Sequence, residues 1–202
     1  HNPAADNGIK LIDRYGFKWE PDAEARLEAH LVDLELPMID AASDAAHASH
    51  ASDTVHATGA ARATDPAASR RYLDWLVDEA GGPRALAGLR VALDAANGAA
   101  STLAGELFAN LGAEVELHFA SPDGLNINRD CGSTHPEALA ARLATGDFDL
   151  GFAFDGDADR ALLLDERGRL HDGDAMLYLW ARELQRRGEL ALPQIVATSM
   201  SN

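Results

Sequence analysis

Three aspartates at alternate positions, Asp155, Asp157 and Asp159, follow the apolar run Phe152-Ala153-Phe154 and are separated only by Gly156 and Ala158. Spacers this small let three carboxylates turn toward one point. A cluster of carboxylate oxygens suits a hard divalent cation, Mg²⁺ foremost, with coordination positions left for phosphate or water. Without a cation the three like charges repel one another, and the plainer alternative is a solvated acidic turn relieved by solvent or by Arg160. Arg160 itself has two roles open to it: an ion pair with a neighbouring aspartate, or contact with a phosphate. It also stands at the sixth place counted from Asp155, where a calcium-binding EF-hand needs glycine, which argues against that loop type.

Other groups of reactive residue types are weaker. His47, His50 and His56 lie close together in a polar stretch and read as composition rather than as a transition-metal site. Cys131 and His135 have no third group to orient them, so Cys131 reads as a structural thiol. Asn97-Gly98-Ala99-Ala100 falls at a strand-to-helix junction but lacks the glycine-rich phosphate fingerprint, and a packing role suits it better.

The elements that must position the aspartates follow from hydrophobic periodicity. Asn7-Gly8 predicts a turn into a short strand at 9–12, and Pro21-Asp22 opens an amphipathic helix at 21–34 carrying Ala23, Leu27, Leu31 and Leu34. Residues 41–64 are almost wholly Ala, Ser, Asp, His and Thr and read as a loop, with an insertion near 41–58. A helix at 67–80, with Tyr72, Leu73, Leu76 and Val77 as its stripe, ends at Gly81-Gly82-Pro83. From there strands and helices alternate: strand 90–94, a helix of small residues to about 111, strand 114–119, helix 136–145 and strand 150–154. A hairpin around Glu166-Arg167-Gly168, a helix at 174–187 and a strand at 194–198 follow. This rhythm predicts an α/β fold with a mixed, largely parallel sheet flanked by helices, and it puts the aspartates at the carboxyl end of a strand, where such sheets bind ligands. The expected division is 1–65, the remnant of a similar α/β domain; 66–85, a linker helix; and 86–202, the domain carrying the aspartate loop.

Composition bounds the function. Of 202 residues, 47% are hydrophobic and 25% charged, enough to bury a core. Thirty-three acidic against 17 basic residues give a net charge of −16, which argues against nucleic acid and anionic membranes as partners. A phosphorylated substrate then needs a metal or locally placed cations. One cysteine, no membrane-length apolar run and no secretory leader point to the cytoplasm, and an opening at His1-Asn2-Pro3 predicts a fragment of a longer chain.

Asp155-Gly156-Asp157-Ala158-Asp159-Arg160 resembles the metal loop of the α-phosphohexomutase superfamily. His1-Asn2-Pro3 followed by Asn7-Gly8-Ile9-Lys10 resembles the end of that family's phosphoserine loop, which implies a catalytic serine immediately before His1. Asp123-Gly124-Leu125-Asn126-Ile127-Asn128, the run from Cys131 to Glu137, Asp172-Gly173-Asp174 and the run 198–202 are similar to its phosphoglucosamine mutase subgroup. The resemblance covers the end of family domain 1 and domain 2 and leaves out domains 3 and 4. It implies Mg²⁺ on Asp155, Asp157 and Asp159, and catalytic roles for His1, Lys10 and Arg160. The implied partners are a phosphorylated hexosamine substrate and a sugar bisphosphate intermediate. The fragment by itself is expected to be inactive. A glucose- or mannose-phosphate mutase of the same superfamily, or a non-catalytic metal-binding α/β domain, remain the alternatives.

Overall fold

A computed structural model describes residues 10–32, 67–190, 192–199 and 201. These fall into two compact units, one within Gly8–Asp65 and the other from Pro66 onward. The stretch 41–58, with His47, His50 and His56, lies outside the described residues, as does His1.

In the smaller unit, α1 (Pro21–Val32) forms as its Pro-Asp start predicts, with Asp22 and Glu24 in the first turn. Of the strand expected at 9–12, the described residues Lys10, Leu11 and Ile12 form no strand. Ile12 makes only an isolated antiparallel bridge to Lys18, because Asp13 gathers the chain into a turn by accepting the backbone amides of Tyr15 (2.8 Å) and Phe17 (3.0 Å). Gly16, at φ +88°, supplies the left-handed residue that this turn requires.

The larger unit begins with α2 (Ala68–Glu79), which buries Leu73 and Val77. Next come β1 (Arg90–Asp94), a 3₁₀ turn (Ala99–Thr102), α3 (Ala104–Asn110) and β2 (Glu114–His118). A second 3₁₀ turn (Gly132–Thr134) precedes α4 (Glu137–Leu143), β3 (Leu150–Phe154), β4 (Ala161–Asp165), β5 (Leu170–His171) and α5 (Gly173–Arg187). Among the described residues the strands form one sheet in the order β2-β1-β3-β4-β5. β1 runs parallel to β2 and β3, whereas β3-β4 and β4-β5 are antiparallel, which is the mixed, largely parallel sheet expected.

Alternation along the buried strands sends side chains into two cores. Val91 and Leu93 of β1 pack with Ala100, Ala104 and Phe108 on one face, joined by Leu150, Phe152 and Phe154 of β3. Ala92 and Ala153 face Leu139, Leu143, Phe148 and Leu164 on the other. Helix α4 lies so close to the sheet that a Cβ on Gly151 would sit 2.7 Å from Leu143 Cδ1. Its Arg142 clamps the edge strand, with Nε 2.7 Å and Nη2 2.8 Å from the two Glu116 carboxylate oxygens, a bidentate pair. Two expectations need correction. The helix of small residues is broken at Leu103 into a 3₁₀ turn and α3. Residues 194–198 form no strand: Val196 is 95% exposed and no neighbouring strand pairs with the segment among the described residues, so its β propensity has nothing to bond.

Candidate metal centre

The aspartate loop is the connection between β3 and β4. Phe154 pairs with Ala161, and residues 155–160 bridge them, closed by backbone bonds from Asp155 N to Arg160 O (3.2 Å) and from Ala158 N to Asp155 O (3.1 Å). Ala158 takes φ +59°, a strained left-handed turn that reverses the chain between Asp157 and Asp159. The result brings one oxygen from each of Asp155, Asp157 and Asp159 within 4.8 Å of the other two. Oxygens sharing one Mg²⁺ at about 2.1 Å stand roughly 3–4 Å apart, so the cluster fits such an ion after a small side-chain rotation. The three differ in burial: Asp155 is 2% exposed, Asp157 half-buried and Asp159 exposed. One side of the cluster is therefore anchored in protein and the other faces solvent.

Arg160 pairs with its neighbouring aspartates. Its Nε lies 2.8 Å from Asp155 Oδ2 and 3.4 Å from Asp159 Oδ1, and its backbone N–H donates to Asp155 Oδ1 at 3.2 Å. The hydrogen bond to Asp155 holds the guanidinium above its usual pKa range, so it stays cationic at any working pH. Glu166, twelfth from Asp155, sits just past Asp165, which pairs with Leu150 at the opposite end of β3; an EF-hand geometry is thus excluded. Lys10 belongs to the smaller unit.

Two neighbouring loops form the floor of the aspartate loop. At the end of β1, a Cβ on Gly98 would lie 2.2 Å from the Gly156 carbonyl oxygen, and Ala99 N donates to that oxygen at 2.9 Å. From the loop after β2, Ile127 and Asn128 press on Gly156, where a Cβ would meet both at 2.8 Å. Asn97 ties these loops together: its Oδ1 accepts from Ser121 N (3.1 Å) and its Nδ2 points at Asn126 O (3.5 Å). The packing role expected for Asn97-Gly98 is what the structure displays.

Cys131 is fully buried, and its thiol is pushed up to about 11, chiefly by burial and then by the nearby Asp94 charge. A thiol so hard to ionise is no nucleophile at neutral pH, in line with its reading as structural. Asp94 is the residue that sequence reasoning passed over. It is 0% exposed at the end of β1, with Oδ1 accepting from Ala96 N (2.9 Å) and Oδ2 from Gly132 N (2.8 Å). The available signal was an acid closing an otherwise apolar buried strand, Val91-Ala92-Leu93-Asp94.

Residues 70–168 match the family described as phosphoglucomutase/phosphomannomutase, alpha/beta/alpha domain II. Phosphoglucosamine mutases of Streptococcus sanguinis and Streptococcus pneumoniae serotype 2 are 43% and 44% identical over 203 residues, covering 100% of this chain and 41% of each relative. The chain thus spans about two fifths of the length of the curated relatives it matches. A phosphoglucomutase/phosphomannomutase family protein of Burkholderia thailandensis superposes with a TM-score of 0.50 at 33% identity, over 59% of this chain and 26% of that one. With the three-carboxylate loop at the carboxyl edge of a mixed sheet, these similarities identify the chain as a member of the phosphohexomutase superfamily that carries its domain II.

Proposed function

We propose that this chain is the metal-binding segment of a phosphoglucosamine mutase, interconverting glucosamine 6-phosphate and glucosamine 1-phosphate through a phosphoserine and a sugar bisphosphate. The observation that carries the reading is the convergence of the Asp155, Asp157 and Asp159 oxygens within 4.8 Å, in a chain 43% identical to a phosphoglucosamine mutase. Asp155, Asp157 and Asp159 hold Mg²⁺, which when bound neutralises negative charge on a phosphoryl group in transfer. Asp155 is held in place by Arg160 from two directions and supplies a fixed ligand, while the exposed Asp159 adjusts. Such fixing matters because phosphoryl transfer depends on placement and electrostatics more than on covalent participation by the protein. On the resemblance, Lys10 assists proton transfer and the substrate is a phosphorylated hexosamine. With a net charge of −16, the chain attracts the cation and repels the anionic sugar, so the metal offsets the repulsion at the one place where the sugar must approach.

A glucose- or mannose-phosphate mutase is the second reading, favoured by the family description of residues 70–168. A chimera separates the two. This chain replaces the matching 203 residues of the Streptococcus sanguinis relative, and turnover is assayed on glucosamine, glucose and mannose 6-phosphates. The expected result is Mg²⁺-dependent turnover with glucosamine 6-phosphate preferred. A chimera that folds but prefers glucose or mannose phosphate transfers the assignment to the second reading, and one that folds without any turnover removes the mutase assignment.

A further inference from the structure

The fully buried carboxylate of Asp94 accepts two backbone amides, and both lead to the loop that carries the three aspartates. Oδ2 accepts the Gly132 amide. Gly132 stands at φ +73° with no room for a side chain: a Cβ there would lie 2.6 Å from the Phe154 carbonyl oxygen and 2.6 Å from Ala96 Cβ. Phe154 is the residue immediately before Asp155. Oδ1 accepts the amide of Ala96, itself at the strained φ of +53°, and the Ala96 carbonyl accepts the amide of Asn128, which presses on Gly156. One carboxylate thus pins two loops, one two residues beyond it at Ala96 and one 38 residues beyond it at Gly132, against the residues on either side of Asp155.

The strain is concentrated in the same place. Among the described residues, the non-glycine positions with positive φ are Ala96, Asn97, Phe119, Asn128, Asp130 and Ala158. All lie beyond the carboxyl ends of β1, β2 or β3, in loops on the aspartate side of the sheet. Conformations of this kind persist only where the surroundings over-determine them. The amides that Asp94 accepts are part of that over-determination.

We propose that Asp94 is a positioning residue for the metal centre, setting the spacing of the Asp155, Asp157 and Asp159 carboxylates by bracing the loops beneath them. The inference rests on the metal-binding reading of the aspartate loop. Side chains that orient a metal's ligands without touching the ion typically change its affinity by about 10–100-fold when removed.

The test is calorimetric titration of Mg²⁺ into the 202-residue chain, comparing wild type, Asp94→Asn and Asp165→Asn. Asp165 also accepts two backbone amides, from Arg167 and Arg169, but at the other end of the sheet, so its substitution reports general loosening. Asp94→Asn is expected to weaken Mg²⁺ binding about tenfold or more, with Asp165→Asn unchanged. Equal affinity for wild type and Asp94→Asn overturns the proposal while leaving the metal site standing. An equal loss in both variants also overturns it. Absence of binding by the wild type removes the metal reading and this inference together. Should Asp94→Asn fail to fold, hydrogen exchange on the wild type decides: by linkage, saturating Mg²⁺ slows exchange of the Gly132 and Ala96 amides. Unchanged exchange at both amides refutes the bracing role.

Discussion

Asp94 carries a cost that its position makes visible. Burial raises its pKa above the ordinary value near 3.8, and the Gly132 and Ala96 amides and the His118 charge only partly oppose that rise. A carboxyl group with a raised folded-state pKa binds its proton more readily folded than unfolded. Its contribution to stability is therefore present at low pH and lost as pH climbs from about 3.8 through the folded value. Asp94→Asn lacks this slope, so its melting temperature in EDTA is predicted to gain on the wild type as pH rises from 4 toward 7; a constant difference across that range contradicts the argument. The convergence of Asp155, Asp157 and Asp159 was legible in the sequence because their alternation and small spacers let the three carboxylates turn toward one point. Asp94 was not, because an acid at a strand end also reads as an ordinary turn residue until Gly132, 38 positions away, is seen to donate to it.

At the scale of elements, periodicity located the strands that other strands pair with and failed where no partner exists. Residues 90–94, 114–118 and 150–154 formed because each has a neighbour in register and a helix to cover it. Residues 194–198 have comparable apolar character, but β propensity measures fit to a sheet, and the segment has no sheet to join among the described residues. Helix α5 formed as expected because its ends are specified locally: Asp172 caps the Ala175 amide at 3.0 Å, and Gly188 terminates it at φ +72°. Close approach between loops is what sequence conceals most fully. Gly98 looks like a turn glycine, yet its need is steric. Gly98→Ala is predicted to lower stability by about 1–3 kcal/mol, because the Gly156 carbonyl must move. Gly124→Ala, at φ +85° with nothing within 4 Å, should cost about 1 kcal/mol. Urea unfolding of both variants checks the ranking, and equal midpoints contradict it.

For the whole molecule, the order of elements and the mixed sheet were legible from the alternation of strands and helices, and the site followed from where that sheet presents its carboxyl edge. Helix α2 packs in the unit from Pro66 onward, its Arg70 3.1 Å from Glu106 of α3. The excess of acidic residues acquires a sense at this scale under the proposed function, since a net charge of −16 would favour a divalent cation and disfavour an anionic sugar until the cation was bound. Metal binding is therefore the event on which the proposed function depends. The most direct measurement is a Mg²⁺ titration of the chain beside Asp157→Asn, which removes one ligand charge and nearly preserves side-chain size. Saturable binding at one site is expected, weakened about tenfold or more in the variant; identical titrations for the two proteins, or none for either, would contradict a metal site at the three aspartates.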